Sequence, residues 1–164
     1  MIAIIDYGLG NSGSIRNMLK KIGVESSITA DEAVIRSADK LIIPGVGAFD
    51  EGMKQIESLK LKPLLDELVL EQKVPVLGIC LGMQLFCKSS EEGVRPGLGW
   101  IDAECRRFRL DASQTHLRVP HMGWNTVRSS GDCGLFTGFS ETPRFYFVHS
   151  YHVVCNRPED SIGT

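Results

Sequence analysis

The stretch Val76-Leu77-Gly78-Ile79-Cys80-Leu81-Gly82-Met83-Gln84 carries an apolar run into a cysteine that has a glycine two residues away on either side. Val74 to Ile79 reads as a buried strand, and Leu81, Gln84 and Leu85 continue as a helical stripe. Small residues at both flanks allow a tight strand-to-helix turn that lifts the intervening side chain clear of the backbone, which is the nucleophile-elbow arrangement with sulfur in place of a hydroxyl. The turn also sets the sulfur at a helix N-terminus, where unpaired N–H groups favour negative charge. A free cysteine is commonly just a small buried hydrophobe. The G-x-C-x-G setting favours the nucleophile.

Working outward, the chain before the elbow alternates strand and helix. Met1 to Asp6 is an apolar run ending in the turn Tyr7-Gly8-Leu9-Gly10-Asn11, and Ile15, Met18, Leu19 and Ile22 then recur at helical spacing within Ser12 to Ile22, with Gly23 as its cap. Val24 to Ile28 is a second strand, and Thr29-Ala30-Asp31-Glu32 predicts a capping box opening a short helix. Lys40 to Pro44 is a third strand, and Asp50 to Leu70 a helical region interrupted at Pro63. Alternation of this kind predicts an α/β fold, an open, mostly parallel sheet with helices on both faces. After about residue 93 the texture changes to Ile101–Arg109, Arg118–Arg128 and Arg144–Cys155 with no long helix between, which predicts an antiparallel, β-rich second half. With no repeat or linker, residues 1–164 read as a single domain.

Composition narrows the partners. The 164 residues carry 18 Lys+Arg against 20 Asp+Glu with no basic run, so neither nucleic acid nor an anionic membrane is expected as a partner. The longest apolar stretches fall short of the ~20 residues of a membrane span. Met1-Ile2-Ala3-Ile4-Ile5-Asp6 lacks the basic start of a signal peptide. Five cysteines without a C-x-x-C pair fit neither a disulfide framework nor a metal site, so no metal and no cofactor is expected, and the cytoplasm is the expected compartment.

A second glycine-rich loop, Pro44-Gly45-Val46-Gly47-Ala48-Phe49, closes the third strand at the sheet edge where the elbow lies. Ligands of open α/β sheets bind at that carboxyl edge. Backbone N–H groups there, with that of Leu81, suit a developing oxyanion. The run Gly8-Leu9-Gly10-Asn11-Ser12-Gly13 also fits a dinucleotide-binding fingerprint, with Asp31 eighteen residues after Gly13. The capping box at Thr29 explains Asp31 better, and a dinucleotide leaves the elbow and the Pro44 loop without roles.

These segments, together with Pro120-His121-Met122-Gly123-Trp124-Asn125 and Tyr146-Phe147-Val148-His149-Ser150-Tyr151, closely resemble the glutaminase subunits of imidazole glycerol phosphate synthase, which are class I glutamine amidotransferases. The resemblance implies a flavodoxin-like fold and hydrolysis of L-glutamine, with ammonia passed to a barrel-type cyclase subunit in a heterodimer of histidine biosynthesis. Carried over by position, it implies Cys80 as nucleophile, Val46, Gly47 and Leu81 as the oxyanion hole, and Gln84, Glu92, Ser150 and Tyr151 around the glutamine. It also implies Asn11, Met122, Trp124 and Tyr146 against the cyclase; the alternative readings are Trp124 and Tyr146 as core aromatics and Glu92 as part of a solvated polar run.

The family's general base lies in a His-Pro-Glu segment that follows the point matching Thr164, and these 164 residues contain no such tripeptide. His116, His121, His149 and His152 are the histidines present. Two alternatives stay open at this level: a catalytically impaired binding subunit, and a glutaminase of the same type serving another synthase.

Overall fold

The computed structural model describes residues 1–113, 117–129 and 134–164. Its first half is a four-stranded parallel sheet in the order β2-β1-β3-β4, from β1 (Ile2–Ile5), β2 (Ser26–Thr29), β3 (Lys40–Ile43) and β4 (Val76–Gly78). Three helical connections join these strands: α1 (Ser12–Lys21), α2 (Glu32–Arg36), and α3 (Phe49–Ser58) followed by α4 (Leu61–Asp66). The strand order turns back at β1, so right-handed crossovers place α1 and α2 on opposite faces.

The two faces are covered unequally. Odd-numbered strand residues Ala3, Ile5, Leu41 and Ile43 pack with Phe49, Met53, Ile56, Leu61, Leu64, Leu65 and Leu68 of the α3–α4 layer into the main core. Opposite, Ile4 and Ile42 are buried, yet α1 buries no residue completely, and Leu77 of β4 is 49% exposed. Met18 and Ile22, read as part of the helical stripe, stand largely in solvent.

Two local expectations are corrected. The short helix α2 is not capped by Thr29, because Thr29 is held extended in β2 opposite Ile5 and its hydroxyl accepts from the Asp31 N–H at 2.9 Å. Asp31 is the cap, its carboxylate accepting from Val34 N at 3.0 Å. The helical region after β3 breaks at Lys60, where φ is +56°, and not at Pro63. Pro63 falls in the first turn of α4, where an N–H has no intrahelical acceptor, so proline costs nothing there. The helix then widens into a π turn, Glu67–Glu71, closed by Gln72 N to the Glu67 carbonyl at 3.0 Å.

Beyond β4 come the short α5 (Leu81–Gln84), β5 (Ser89–Ser90), β6 (Ala103–Arg107), β7 (His121–Thr126), β8 (Arg144–His149) and β9 (Tyr151–Cys155). As expected, the pairings are mainly antiparallel, β6 with β9 and β7 with β8. The segment 144–155 is two strands in two sheets: β8 stays with β7, and at Ser150 the chain crosses into the β5-β6-β9 sheet. Buried Cys87, Ala103 and Cys105 form the small core of that second sheet.

Candidate active site

β3 and β4 end side by side, with Ile79 N donating to the Ile43 carbonyl at 3.0 Å. One residue later the backbone of Cys80 turns to φ +54°, ψ −117°, a region that a side-chain-bearing residue enters only under constraint. α5 follows at once, and the Cys80 carbonyl accepts from Met83 N at 3.0 Å and Gln84 N at 3.2 Å. The thiol is thereby left exposed on the turn. Cys87 and Cys105 are buried, 3.6 Å apart at sulfur, and Cys155 is partly buried. Cys133 lies outside the described residues.

Glycines allow the close approach that this turn needs. A Cβ on Gly45 would lie 2.4 Å from Gly82 N and 2.7 Å from the Leu81 Cβ, so the Pro44 loop rests directly on the first turn of α5. Gly47, two residues on, has φ +125°. Val46 beside it is 64% exposed, while Leu81 is buried, its side chain in the main core and its amide at the start of α5. The expected oxyanion-hole residues are thus assembled from two strand ends.

The residues expected around glutamine are placed less uniformly. Gln84 is buried at the end of α5, its N–H bonded to the Cys80 carbonyl. Glu92 is not part of a solvated run: its carboxylate accepts from Phe49 N, the first residue of α3, at 2.9 Å, and its own N–H donates to the Ser90 hydroxyl at 3.1 Å. Asp50 answers from the other side, accepting from Val94 N at 3.0 Å and Arg95 N at 2.9 Å. These bonds hold the Asp50 carboxyl below the usual carboxylate range. Sequence reading missed this clamp, whose one visible sign was acidic residues in the first turn of a helix. Ser150 and Tyr151 occupy the crossing between sheets, where the Ser150 carbonyl accepts from Phe108 N at 3.0 Å.

His121 and His149 are engaged with one another. His149 Nδ1 lies 2.8 Å from the Tyr151 carbonyl, so it carries the proton and donates, which leaves Nε2 to accept from His121 Nδ1 at 3.0 Å. His121 Nε2 then faces the Asn125 amide at 3.4 Å. His152 is stacked on Phe108, ring centroids 4.7 Å apart. Neither nitrogen of His149 is left over for proton transfer at a substrate. His116 lies outside the described residues.

On β7 and β8, Trp124 sits opposite Tyr146, the rings meeting edge-on at 5.8 Å. They are 66% and 55% exposed, with Met122 at 62% and Val148 at 54%, so the two aromatics belong to a surface patch and not to the core. Asn11 is spent locally as the cap of α1, its side chain accepting from Ser14 N at 3.1 Å.

No helix among the described residues is long and apolar enough to cross a membrane. The family model for class-I glutamine amidotransferases matches residues 3–162. The chain is 49% identical, over its whole length and 80% of the relative's, to imidazole glycerol phosphate synthase subunit HisH 2 of Methanococcus maripaludis. It is 43% identical to the HisH subunit of Leptospira interrogans, over 99% of this chain and 80% of that one. Among solved structures it is similar to a glutamine amidotransferase at a TM-score of 0.69 with 17% identity, covering 96% of this chain and 75% of the other. A glutamine amidotransferase of Thermotoga maritima gives 0.60 with 18% identity over 95% and 63%. With the elbow, the Pro44 loop and near-complete coverage in agreement, the chain belongs to the class I glutamine amidotransferases, and among them to the HisH subunits of imidazole glycerol phosphate synthase.

Proposed function

We propose that this single domain is the glutaminase subunit of imidazole glycerol phosphate synthase, releasing ammonia from L-glutamine at Cys80 for a barrel-type cyclase in histidine biosynthesis. The observation that carries the reading is the exposed Cys80 held at φ +54° against a glycine loop. The thiolate attacks the side-chain amide carbon of glutamine, and the carbonyl oxygen takes up negative charge. Gly47 N–H, in the Val46–Gly47 peptide, and Leu81 N–H receive that charge. The C–N bond then breaks, the nitrogen leaves as ammonia after taking a proton, and water cleaves the thioester to give glutamate and free Cys80. Proton delivery and water activation both call for a general base. The bonds already made by His149 and His121 argue against either in that role.

Glu92 supplies charge for the substrate's ammonium group, with Gln84, Ser150 and Tyr151 completing the pocket. Asn11, Met122, Trp124 and Tyr146 face the cyclase, which converts the ammonia and a phosphoribulosyl aminoimidazole carboxamide intermediate into imidazole glycerol phosphate and an aminoimidazole carboxamide ribotide. The reading places the complex in the cytoplasm, with no nucleic-acid or membrane partner.

The test is alkylation of the chain, with the cyclase bound, by a chloroketone analogue of glutamine, followed by peptide mapping. Label on Cys80 that glutamine suppresses and asparagine does not is the expected result. Label spread over the other cysteines, or no protection by glutamine, overturns the assignment.

A further inference from the structure

Tyr7 has no role in the chemistry described above, yet its side chain is wholly buried beneath the Pro44 loop. It continues the inward-facing series Ala3, Ile5, Tyr7 past the end of β1 and joins the core that holds Phe49 and Leu81. Its hydroxyl donates to the Pro44 carbonyl. That carbonyl lies just past the last bond between β3 and β4, from Ile79 N to the Ile43 carbonyl, and Pro44 itself has no N–H to offer. Among the described residues, Tyr7 is the side chain that hydrogen-bonds the loop from 44 to 48.

The consequence follows from peptide planarity. The Pro44 carbonyl and the Gly45 N–H share one rigid plane, so holding the oxygen sets the direction in which the loop leaves β3. Gly45 is wedged at this point: a Cβ there would lie 2.9 Å from the Tyr7 hydroxyl on one side and 2.4 Å from Gly82 N on the other. Gly10 closes a third side, its own Cβ position lying 2.9 Å from Gly45 N. A loop with glycine at both 45 and 47 has wide backbone freedom unless something outside it restricts rotation. Burial, and next the charge of a Cys80 thiolate, push the Tyr7 phenol above its ordinary range, so it remains a protonated donor at any working pH.

Resting on the reading of Gly47 and Leu81 as oxyanion donors, we propose that Tyr7 is a positioning residue that fixes the Pro44–Gly45 peptide and thereby aims the Gly47 N–H at the oxygen of the reacting carbonyl. The test compares the wild-type chain with Tyr7→Phe, both with the cyclase bound, using two reagents on Cys80. The first is an activated γ-ester of glutamate. There an S–C bond forms, charge collects on the carbonyl oxygen, the C–O bond breaks, and p-nitrophenolate leaves in a measurable burst. The second is iodoacetamide, which forms its S–C bond by displacing iodide from a saturated carbon and develops no oxyanion.

Tyr7→Phe is expected to slow the ester burst about tenfold, less than outright deletion of a donor, while leaving the iodoacetamide rate within about twofold. An unchanged burst overturns the proposal. An equal fall with both reagents, or loss of cooperative unfolding, also overturns it by assigning the hydroxyl to the elbow or the core at large. If wild-type Cys80 itself gives no burst, the functional reading fails, which is a different result from a wild-type burst that the substitution leaves untouched.

Discussion

The Cβ position of Gly82 lies 1.9 Å from the carbonyl oxygen of Ile43, so only a residue without a side chain fits two positions after Cys80. β3, β4 and the start of α5 are therefore locked into one unit. Gly82→Ala is expected to force the strand end and the elbow apart, at a cost of about 3 kcal/mol or more. Urea unfolding followed by circular dichroism measures it, and a loss under about 1 kcal/mol would show that the backbone yields there.

Cys80 itself is held in a conformation that glycine adopts freely. Cys80→Gly is expected to abolish thioester formation and yet raise stability by about 1 kcal/mol, through relief of backbone strain. Differential scanning calorimetry should show a midpoint about 2–4 °C higher for a chain of this length. A lower midpoint would mean that the thiol makes contacts worth more than the strain.

Trp124 and Tyr146 make an exposed edge-on pair, so truncating either leaves the core intact. Trp124→Ala is expected to weaken binding to the cyclase by about 2 kcal/mol if the tryptophan is an anchor of that interface. Calorimetric titration reads the affinity, and the thermal midpoint of the free chain should stay where it was. A fall in the midpoint with unchanged affinity would move Trp124 back into the fold.

The His152 imidazole is held below its ordinary range, first by burial and then by its electrostatic interactions with the neighbouring His149 and Arg106, with Glu91 opposing. Its stacked partner Phe108 carries no charge. Because the folded value lies below the unfolded one, the unfolded chain takes the proton first. Stability is complete above about pH 6.5, the ordinary histidine value, and declines as the pH falls from there through the lower folded value. Urea midpoints compared at about pH 7.5 and pH 5 should drop less for His152→Gln than for the wild type. Equal drops would place the acid sensitivity elsewhere.

Local signals carried much of this molecule. Short apolar runs bounded by turn residues marked all four parallel strands, and helical spacing the main helices, within a few residues. The glycines flanking Cys80 announced the elbow because a tight strand-to-helix turn needs small residues beside it; a Cβ at 78 would strike the backbone of Met83 five residues on, while the contact that excludes one at 82 is with Ile43 on another strand. Where the reading slipped, a long-range contact had outvoted a local preference. Thr29 lost its cap to Asp31 because pairing with Ile5 kept it extended. Pro63 did not end its helix, because a left-handed Lys60 had already started a new one.

The sequence by itself determined the α/β alternation, the family, the G-x-C-x-G turn at Cys80 and the glycine loop, since each rests on short-range sterics or on patterns within one element. Only the tertiary structure decided what those elements meet. The Tyr7 hydroxyl on the Pro44 carbonyl spans 37 residues, and Glu92 on Phe49 N spans 43. His149 closes on His121 across 28 residues and Trp124 on Tyr146 across two strands, both set by the register of β7 with β8. Such contacts leave no local periodicity, because their free energy depends on how separate segments pack and not on the order of neighbours along the chain.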